Sequence, residues 1–467
     1  MKIDVQNYAP SRDGGMPVIA IFDVGKTNKK IILFNEQYDM VFERTTHLAE
    51  TVDEDGEACE DINALTEWLL TAFNEVLINP AFDVKAVNFS TYGASLVYVD
   101  KNGKPLTPLY NYLKAYPKQL EQQLYAAYGG KEKFSVETAS PALGSLNSGL
   151  QLYRLKYTQP AVFKQVAFAF HLPQFLSYVI TGHPVTDITS IGCHTALWNF
   201  QTNGYHNWVM EEKLNNLFAP LLPSSTTVPI NFNHREIQAG IGLHDSSAAL
   251  IPYLLNFSEP FILISTGTWC ISLNPFNNYP LTEDELANDC LCYMTYRQKP
   301  VKASRLFAGN EHEQTLKKLA AHFKKEEYYF SEISIHEEWL DIESIKATPQ
   351  NIKTGVHLSA FANRDLNEFA SYEEAYHCFI SAIIQQQKKS LQYVLSDNVK
   401  RIFVDGGFSR NKFYMRLLAT AFPGMEIYSA SIPQSTAKGA AMAIHGSWNT
   451  TELSKNIIET KKVMPLC

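Results

Sequence analysis

Three short stretches carry side chains suited to a phosphorylated ligand. In Phe22–Lys30 (FDVGKTNKK) a carboxylate stands at the end of an apolar run, with a glycine, a threonine and lysines behind it. Asp23 there could hold Mg²⁺ through water. The backbone around Gly25, Lys26 and Thr27 could take phosphate oxygens, and Lys30 could neutralise one. In Ile264–Trp269 (ISTGTW), Ser265, Thr266 and Thr268 surround Gly267 and can donate to phosphate oxygens. In Val404–Asn411 (VDGGFSRN), Gly406 and Gly407 lie between a strand and a helix start, where a planar ligand can approach the backbone and anions are favoured. Taken singly, each stretch also fits an ordinary turn. No G-x-x-x-x-G-K-[ST] and no G-x-G-x-x-G occurs, which excludes P-loop and Rossmann readings.

A fourth stretch, Gly242–Ala249 (GLHDSSAA), holds a candidate base. Phosphorylating a hydroxyl requires its proton to leave as the O–P bond forms, and a carboxylate in reach can accept it. Asp245 precedes Ser-Ser-Ala-Ala-Leu and so belongs at a helix N-terminus, where it serves as a cap, a base, or both. His244 is either structural or a sugar contact. Asp187 is either a loop cap or an organiser of the same site.

These residues need elements to hold them. Val18–Gly25 reads as a strand ending in a glycine, Lys30–Asn35 as its hairpin partner, and the segment through Phe42 as a third strand. The acidic run Asp53–Asp61 leads into a helix bearing Ile62, Leu65, Leu69, Phe73 and Val76, and is read as acids favoured at a helix start. Lys85–Asp100 is strand, turn, strand; residues 110–182 are mostly helical; and the chain is loop-rich from Thr181 to about Gln238. Pro252–Pro260 marks a compositional seam, followed by a second strand with a glycine turn, Phe261–Trp269. Lys317–Glu343 reads as a solvated charged insertion. A long amphipathic helix over Tyr376–Leu395 precedes a third strand with a glycine turn, Arg401–Asn411. A helix, a strand and a small-residue helix, Thr436–Ile444, end the pattern. The polar start, to Pro17, is read as disordered or as a loose first strand, and Met1–Met16 holds no signal-peptide core.

The order of the motifs is more specific than any of them. Asp-x-Gly-x-Thr early, Ser-Thr-Gly-Thr in the middle and Asp-Gly-Gly-x-Ser-x-Asn late resemble the phosphate 1, phosphate 2 and adenosine motifs of the sugar kinase, heat-shock ATPase and actin superfamily. With GLHDSSAA, STYGAS (Ser90–Ser95) and VITGHPVTDITS (Val179–Ser190), the chain is similar to FGGY-family carbohydrate kinases from about Val18 to about Gly446. The resemblance implies an α/β fold of two actin-like ATPase (ribonuclease H-like) domains around a central cleft. Residues 1–254 would form a sugar-binding domain and residues 255–467 an ATP-binding domain.

It also implies ATP and Mg²⁺ as cofactors, with Asp23 at the metal and Asp245 as catalytic base. Gly25, Lys26, Thr27, Lys30, Ser265, Thr266, Gly267, Thr268, Gly406, Gly407 and Asn411 would hold the nucleotide. Tyr92, Gly93, Ala94, Asn111, His244 and Asp245 would hold the sugar. The S-x-GTW form and the His-Asp pair are similar to rhamnulokinases and fuculokinases, implying a 6-deoxy-ketohexulose such as L-rhamnulose or L-fuculose. A pentulose such as xylulose is the same-family alternative, and a non-catalytic actin-like nucleotide-binding regulator the reading from another class. Asn111-Tyr112 replaces the family's frequent Trp-x-Asp, and Gln434-Ser435-Thr436 its frequent Glu-Ala-Thr.

Composition narrows the partners. The chain has 467 residues, with 40 Lys and Arg against 48 Asp and Glu for a net charge of −8. That disfavours a non-specific nucleic-acid binder or a polybasic membrane surface. Seven cysteines without metal-site spacing suit a reducing cytoplasm. A ketose and ATP are the expected partners, and a homodimer is an admissible assembly.

Overall fold

The computed structural model describes residues 14–232, 235–350, 352–453 and 457–466; most of the polar N-terminal tail, residues 1–13, lies outside them. β1 (Met16–Val24), β2 (Lys29–Phe34) and β3 (Met40–Thr46) form an antiparallel meander, as their alternation predicts. After α1 (Ile62–Ile78), β4 (Phe82–Thr91) returns parallel to β1 on its other side. Asp61 caps α1 by accepting from the N–H groups of Asn63 and Ala64. The rest of the acidic run does more than favour a helix start: Asp53 pairs with Lys114 at 2.5 Å, Glu54 with Arg154 at 3.3 Å, and Glu60 with Lys29 at 2.9 Å.

Residues 118–158 are largely helical as expected, although Phe168–His171 forms a strand ahead of α2 (Leu172–Thr181). The stretch read as loop-rich contains a hairpin, β5 (Thr227–Phe232) with β6 (Arg235–Gly240). The short β7 (Leu243–His244) then pairs with the end of β4 and delivers the chain into α3 (Asp245–Asn256). The first sheet has the order β5-β6-β4-β1-β2-β3, with β7 beside β4.

Alternation along β1 assigns its two faces. Val18, Ala20 and Phe22 pack with α1 and α2, whereas Ile19 and Ile21 pack with residues of α3 and of the helix over Ser435–Ala443. Asp23 continues the second set, so it emerges on the face covered by those two helices. α3 does not stop at Pro252 as a proline seam suggests; it runs through it to Asn256. A proline removes the hydrogen bond to the carbonyl four residues back, here Ala248.

The second sheet repeats the device. β8 (Phe261–Thr266) pairs antiparallel with β9 (Cys270–Asn274); β10 (Cys290–Met294) and β11 (Pro300–Leu306) extend the sheet beyond β9. α4 (Ala308–Phe323) and the long α5 (Tyr372–Val394) cover it, with Phe379, Ile380, Ile383 and Ile384 of α5 in its core. β12 (Arg401–Gly406) runs parallel to β8 and is followed by α6 (Lys412–Ala421) and β13 (Glu426–Ser431). α7 (Ser435–Ala443) packs on α3, and β14 (Glu459–Val463) closes the second sheet beside β13.

The chain therefore forms two compact units: Met1–Asn256 with Tyr293–Lys299 and Pro433–Ile457, and Phe257–Cys292 with Pro300–Ile432 and Ile458–Cys467. Neither is one continuous stretch, unlike the linear division at residue 254. Among the described residues no helix is long and apolar enough to cross a membrane.

Candidate active site

In the first unit, β1, β7 and two helix N-termini bring the candidate groups together. Asp245 is the first residue of α3; one carboxylate oxygen accepts from the Ser246 N–H at 2.6 Å and lies 3.4 Å from His244 Nε2. Its side chain is 34% exposed, enough for a substrate to reach it. Asp23, at the end of β1, accepts from the Thr436 hydroxyl at 3.0 Å. Burial raises Asp23 to about 6, the charges of Asp245 and Glu43 add to the rise, and Thr436 and Lys30 oppose it. Both carboxylates stand by helix N-termini, which favour negative charge.

The sugar-loop residues gather at the same end. A Cβ at Gly93 would fall 2.7 Å from two ring atoms of His244, so only glycine fits. Ala94 follows in the left-handed region at φ 69°. His244 is buried, stacks on Tyr293 with centroids 5.5 Å apart, and is held below the usual histidine range by burial. Asp187 caps a short helix through Thr189, whose hydroxyl accepts the His244 N–H at 3.0 Å. Asp187 thus reaches His244 through Thr189.

Asn111 is engaged by its own loop and by the strand end at Ala58. It accepts from Leu113 N–H at 3.0 Å and donates to the Ala58 carbonyl at 3.3 Å. Its neighbour Tyr112 packs on Tyr92 at 5.7 Å and is raised by burial and by the Asp245 charge.

The phosphate turn also differs from expectation in its lysines. Lys30 sits 3.0 Å from Glu43 and donates to Gln434 at 3.2 Å, so its charge is already engaged. Lys26 pairs with Glu50 at 3.1 Å. Lys29, which sequence reasoning passed over, is buried and donates to the carbonyls of Gly25 and Lys26 at 3.0 and 2.8 Å. Only the strand register separates the two adjacent lysines.

The second unit holds a cavity of 480 Å³ lined by Thr266, Gly267, Gly309, His312, Phe330, Ile333, Gly407, Phe408 and Asn411, with Arg410 and Lys412 also on its wall. That size suits a nucleoside. Ser265 and Thr266 end β8; Gly267 and Thr268 are exposed, and a Cβ at Gly267 meets open space. Gly406, at φ 91°, behaves otherwise: a Cβ there would lie 1.9 Å from the Thr266 carbonyl. Its freedom serves the approach of two backbones rather than an open ligand face. The Asn411 carbonyl oxygen caps α6 and its amide donates to the Tyr376 hydroxyl at 2.8 Å, so it shapes the cavity through fixed contacts. Phe330 and Ile333 come from the stretch read as a solvated insertion, which is in part a cavity wall.

Asp23 fits a Mg²⁺ site of the water-rich kind, in which one or two carboxylates and substrate phosphates suffice. Its burial leaves a carboxylate that a nearby cation would favour in ionised form.

Comparison with known proteins divides the chain in sequence rather than by compact unit, with α7 falling in the second match. Residues 18–245 match the FGGY family of carbohydrate kinases, N-terminal domain, and residues 258–452 match the carbohydrate kinase FGGY, C-terminal domain. A rhamnulokinase of Halalkalibacterium halodurans is 23% identical over 271 residues, 55% of this chain and 54% of that protein. The chain thus spans about half the length of the curated relative it matches. A carbohydrate kinase from Novosphingobium aromaticivorans superposes with TM-score 0.73 at 22% identity, covering 97% of this chain and 95% of that one. A ligand-bound xylulose kinase from Lactobacillus acidophilus gives 0.75 at 17% identity, covering 97% and 94%. The two-unit α/β architecture is that of these actin-like ATPase structures, and with both family domains matched in order across nearly its whole length, the chain belongs to the FGGY family of carbohydrate kinases.

Proposed function

We propose that this protein is an ATP-dependent kinase that phosphorylates a hydroxyl of a ketose, with a 6-deoxy-ketohexulose such as L-rhamnulose or L-fuculose as the preferred class. The reading rests on Asp245: a partly exposed carboxylate at the N-terminus of α3, beside Gly93 and His244 and without a Lys or Arg partner among the described residues. A carboxylate so placed can accept a proton rather than serve an ion pair.

Asp245 takes the proton of the sugar hydroxyl as that oxygen bonds the terminal phosphorus of ATP; the bond to the bridging oxygen breaks and ADP leaves with the electron pair. His244 and Gly93 shape the sugar side, and the cavity beside Gly407 receives the adenosine. Asp23 would hold Mg²⁺, which when bound neutralises charge on the phosphate oxygens. The N–H groups of Lys26 and Thr27 orient those oxygens; in the second unit the Ser265 and Thr268 hydroxyls remain available to phosphate, whereas Thr266 gives its proton to the Asp405 carbonyl at 2.5 Å, contrary to the sequence expectation. The rhamnulokinase likeness supports the substrate class; a pentulose is the alternative, since Asn111 is engaged by its own loop and by Ala58 and leaves Tyr112 facing Tyr92.

Coupled measurement of ADP release over L-rhamnulose, L-fuculose, D-xylulose and polyols tests this. Release that depends on a ketose is expected. Release indifferent to every sugar would leave a nucleotide-binding protein without a sugar substrate.

A further inference from the structure

Glu60 ties the turn after β1 to the loop after β4. Its side chain is 7% exposed; one oxygen lies 2.9 Å from Lys29 Nζ, and the other accepts the Tyr92 hydroxyl at 2.8 Å and stands 3.6 Å from Lys26 Nζ. Its main chain exchanges hydrogen bonds with Leu109 at 3.2 Å in each direction, two residues before Asn111. A buried carboxylate with this many partners is fixed in place.

Lys29 passes that fixation to the phosphate turn. Its ammonium holds the carbonyls of Gly25 and Lys26. In a trans peptide the carbonyl of one residue and the N–H of the next point in opposite directions. The N–H groups of Lys26 and Thr27 are therefore aimed away from Lys29, and among the described residues neither has an acceptor. They form the backbone pair that a phosphate oxygen would meet. At the other end of the chain of contacts, Tyr92 immediately precedes Gly93, the residue that makes room for the His244 ring.

We propose that Glu60 is a positioning residue that couples the sugar loop at Tyr92–Ala94 to the phosphate turn at Gly25–Thr27, so that ketose binding raises nucleotide affinity. The inference rests on the kinase reading above. A sugar that settles the loop fixes the Tyr92 hydroxyl on Glu60; Glu60 then holds Lys29, and Lys29 holds the turn. Neither Glu60 nor Lys29 needs to touch a ligand.

Calorimetry of MgADP binding, with and without the ketose that gives fastest turnover, tests it in the unmodified protein, Glu60→Gln and Tyr92→Phe. In the unmodified protein saturating ketose should tighten MgADP binding, coupled sites typically giving about 5–150-fold. In Glu60→Gln and in Tyr92→Phe that factor should fall toward one. Coupling retained in both variants overturns the inference. If Glu60→Gln does not fold, Tyr92→Phe decides alone, since it removes a single oxygen. Turnover without coupling in the unmodified protein also overturns it, whereas no ketose turnover at all overturns the kinase reading and this inference with it.

Discussion

Gly439→Ala is expected to damage both stability and turnover, although alanine is the better helix former. α7 approaches α3 so closely that a Cβ on Gly439 would lie 1.8 Å from the Ala248 carbonyl oxygen and 3.3 Å from Pro252 Cδ. That oxygen has lost its helical partner to Pro252 and belongs to rigid backbone, so it cannot rotate aside. Carbon–oxygen contacts below 3.0 Å are essentially never found, so the helices must separate by more than about 1 Å. Propensity favours alanine by about 1 kcal/mol, but overpacking costs about 1–3 kcal/mol and at backbone contacts more. A net loss corresponds to about 2–4 °C in Tm per kcal/mol for a domain of this size. α3 carries Asp245 and α7 carries Thr436, the partner of Asp23, so the same shift moves the reacting groups; a misplacement of about 1 Å can cost about 100-fold in rate. Scanning calorimetry and ketose-dependent ADP release measure the two effects. A variant at least as stable as the parent, with unchanged kcat, would refute the packing argument.

Gly267→Val should fold, because a Cβ there meets open space, yet weaken MgADP binding in calorimetry while leaving ketose affinity intact; unchanged MgADP affinity would count against a phosphate contact at this turn. Burial lowers His312 to about 4 from its ordinary 6.5. The stability this represents is fully present above 6.5 and is lost as pH falls from 6.5 toward 4. Urea unfolding between pH 7 and 4.5 should therefore be flatter in His312→Gln than in the parent, by up to about 3 kcal/mol; parallel profiles would contradict it. Lys30→Met should change stability by less than about 1 kcal/mol in the same assay, because its pair with Glu43 is partly exposed; a larger loss would show that the pair is structural.

Much of the fold was legible because its signals are local. The β1 and β8 strands are β-branched runs ending at glycine turns, and Asp61 and Asn411 stand where helix caps belong. Asp23, Asp245, His244 and Gly93 lie at one end of the first sheet. What escaped depends on distant partners. Lys29 and Lys30 are neighbours of one type, and only the pairing of β2 turns Lys29 toward Glu60 and Lys30 toward Glu43. The acidic run reads only as a helix start until Lys114 and Arg154 are brought beside it from far along the chain. Pro252 looks like a boundary because its helix partner, Gly439, is almost two hundred residues away. Phe330 and Ile333 are hidden by the charges around them, and the β5–β6 hairpin by its alternating half-exposed residues.

Asp245 is the proposed acceptor of the sugar hydroxyl's proton. The direct measurement is kcat of Asp245→Asn with ATP and the fastest ketose, alongside MgADP affinity by calorimetry. Nucleotide affinity should be retained and kcat should fall by several powers of ten, a positioned base alone contributing about 10²–10⁴-fold. Turnover at the parent rate would contradict it.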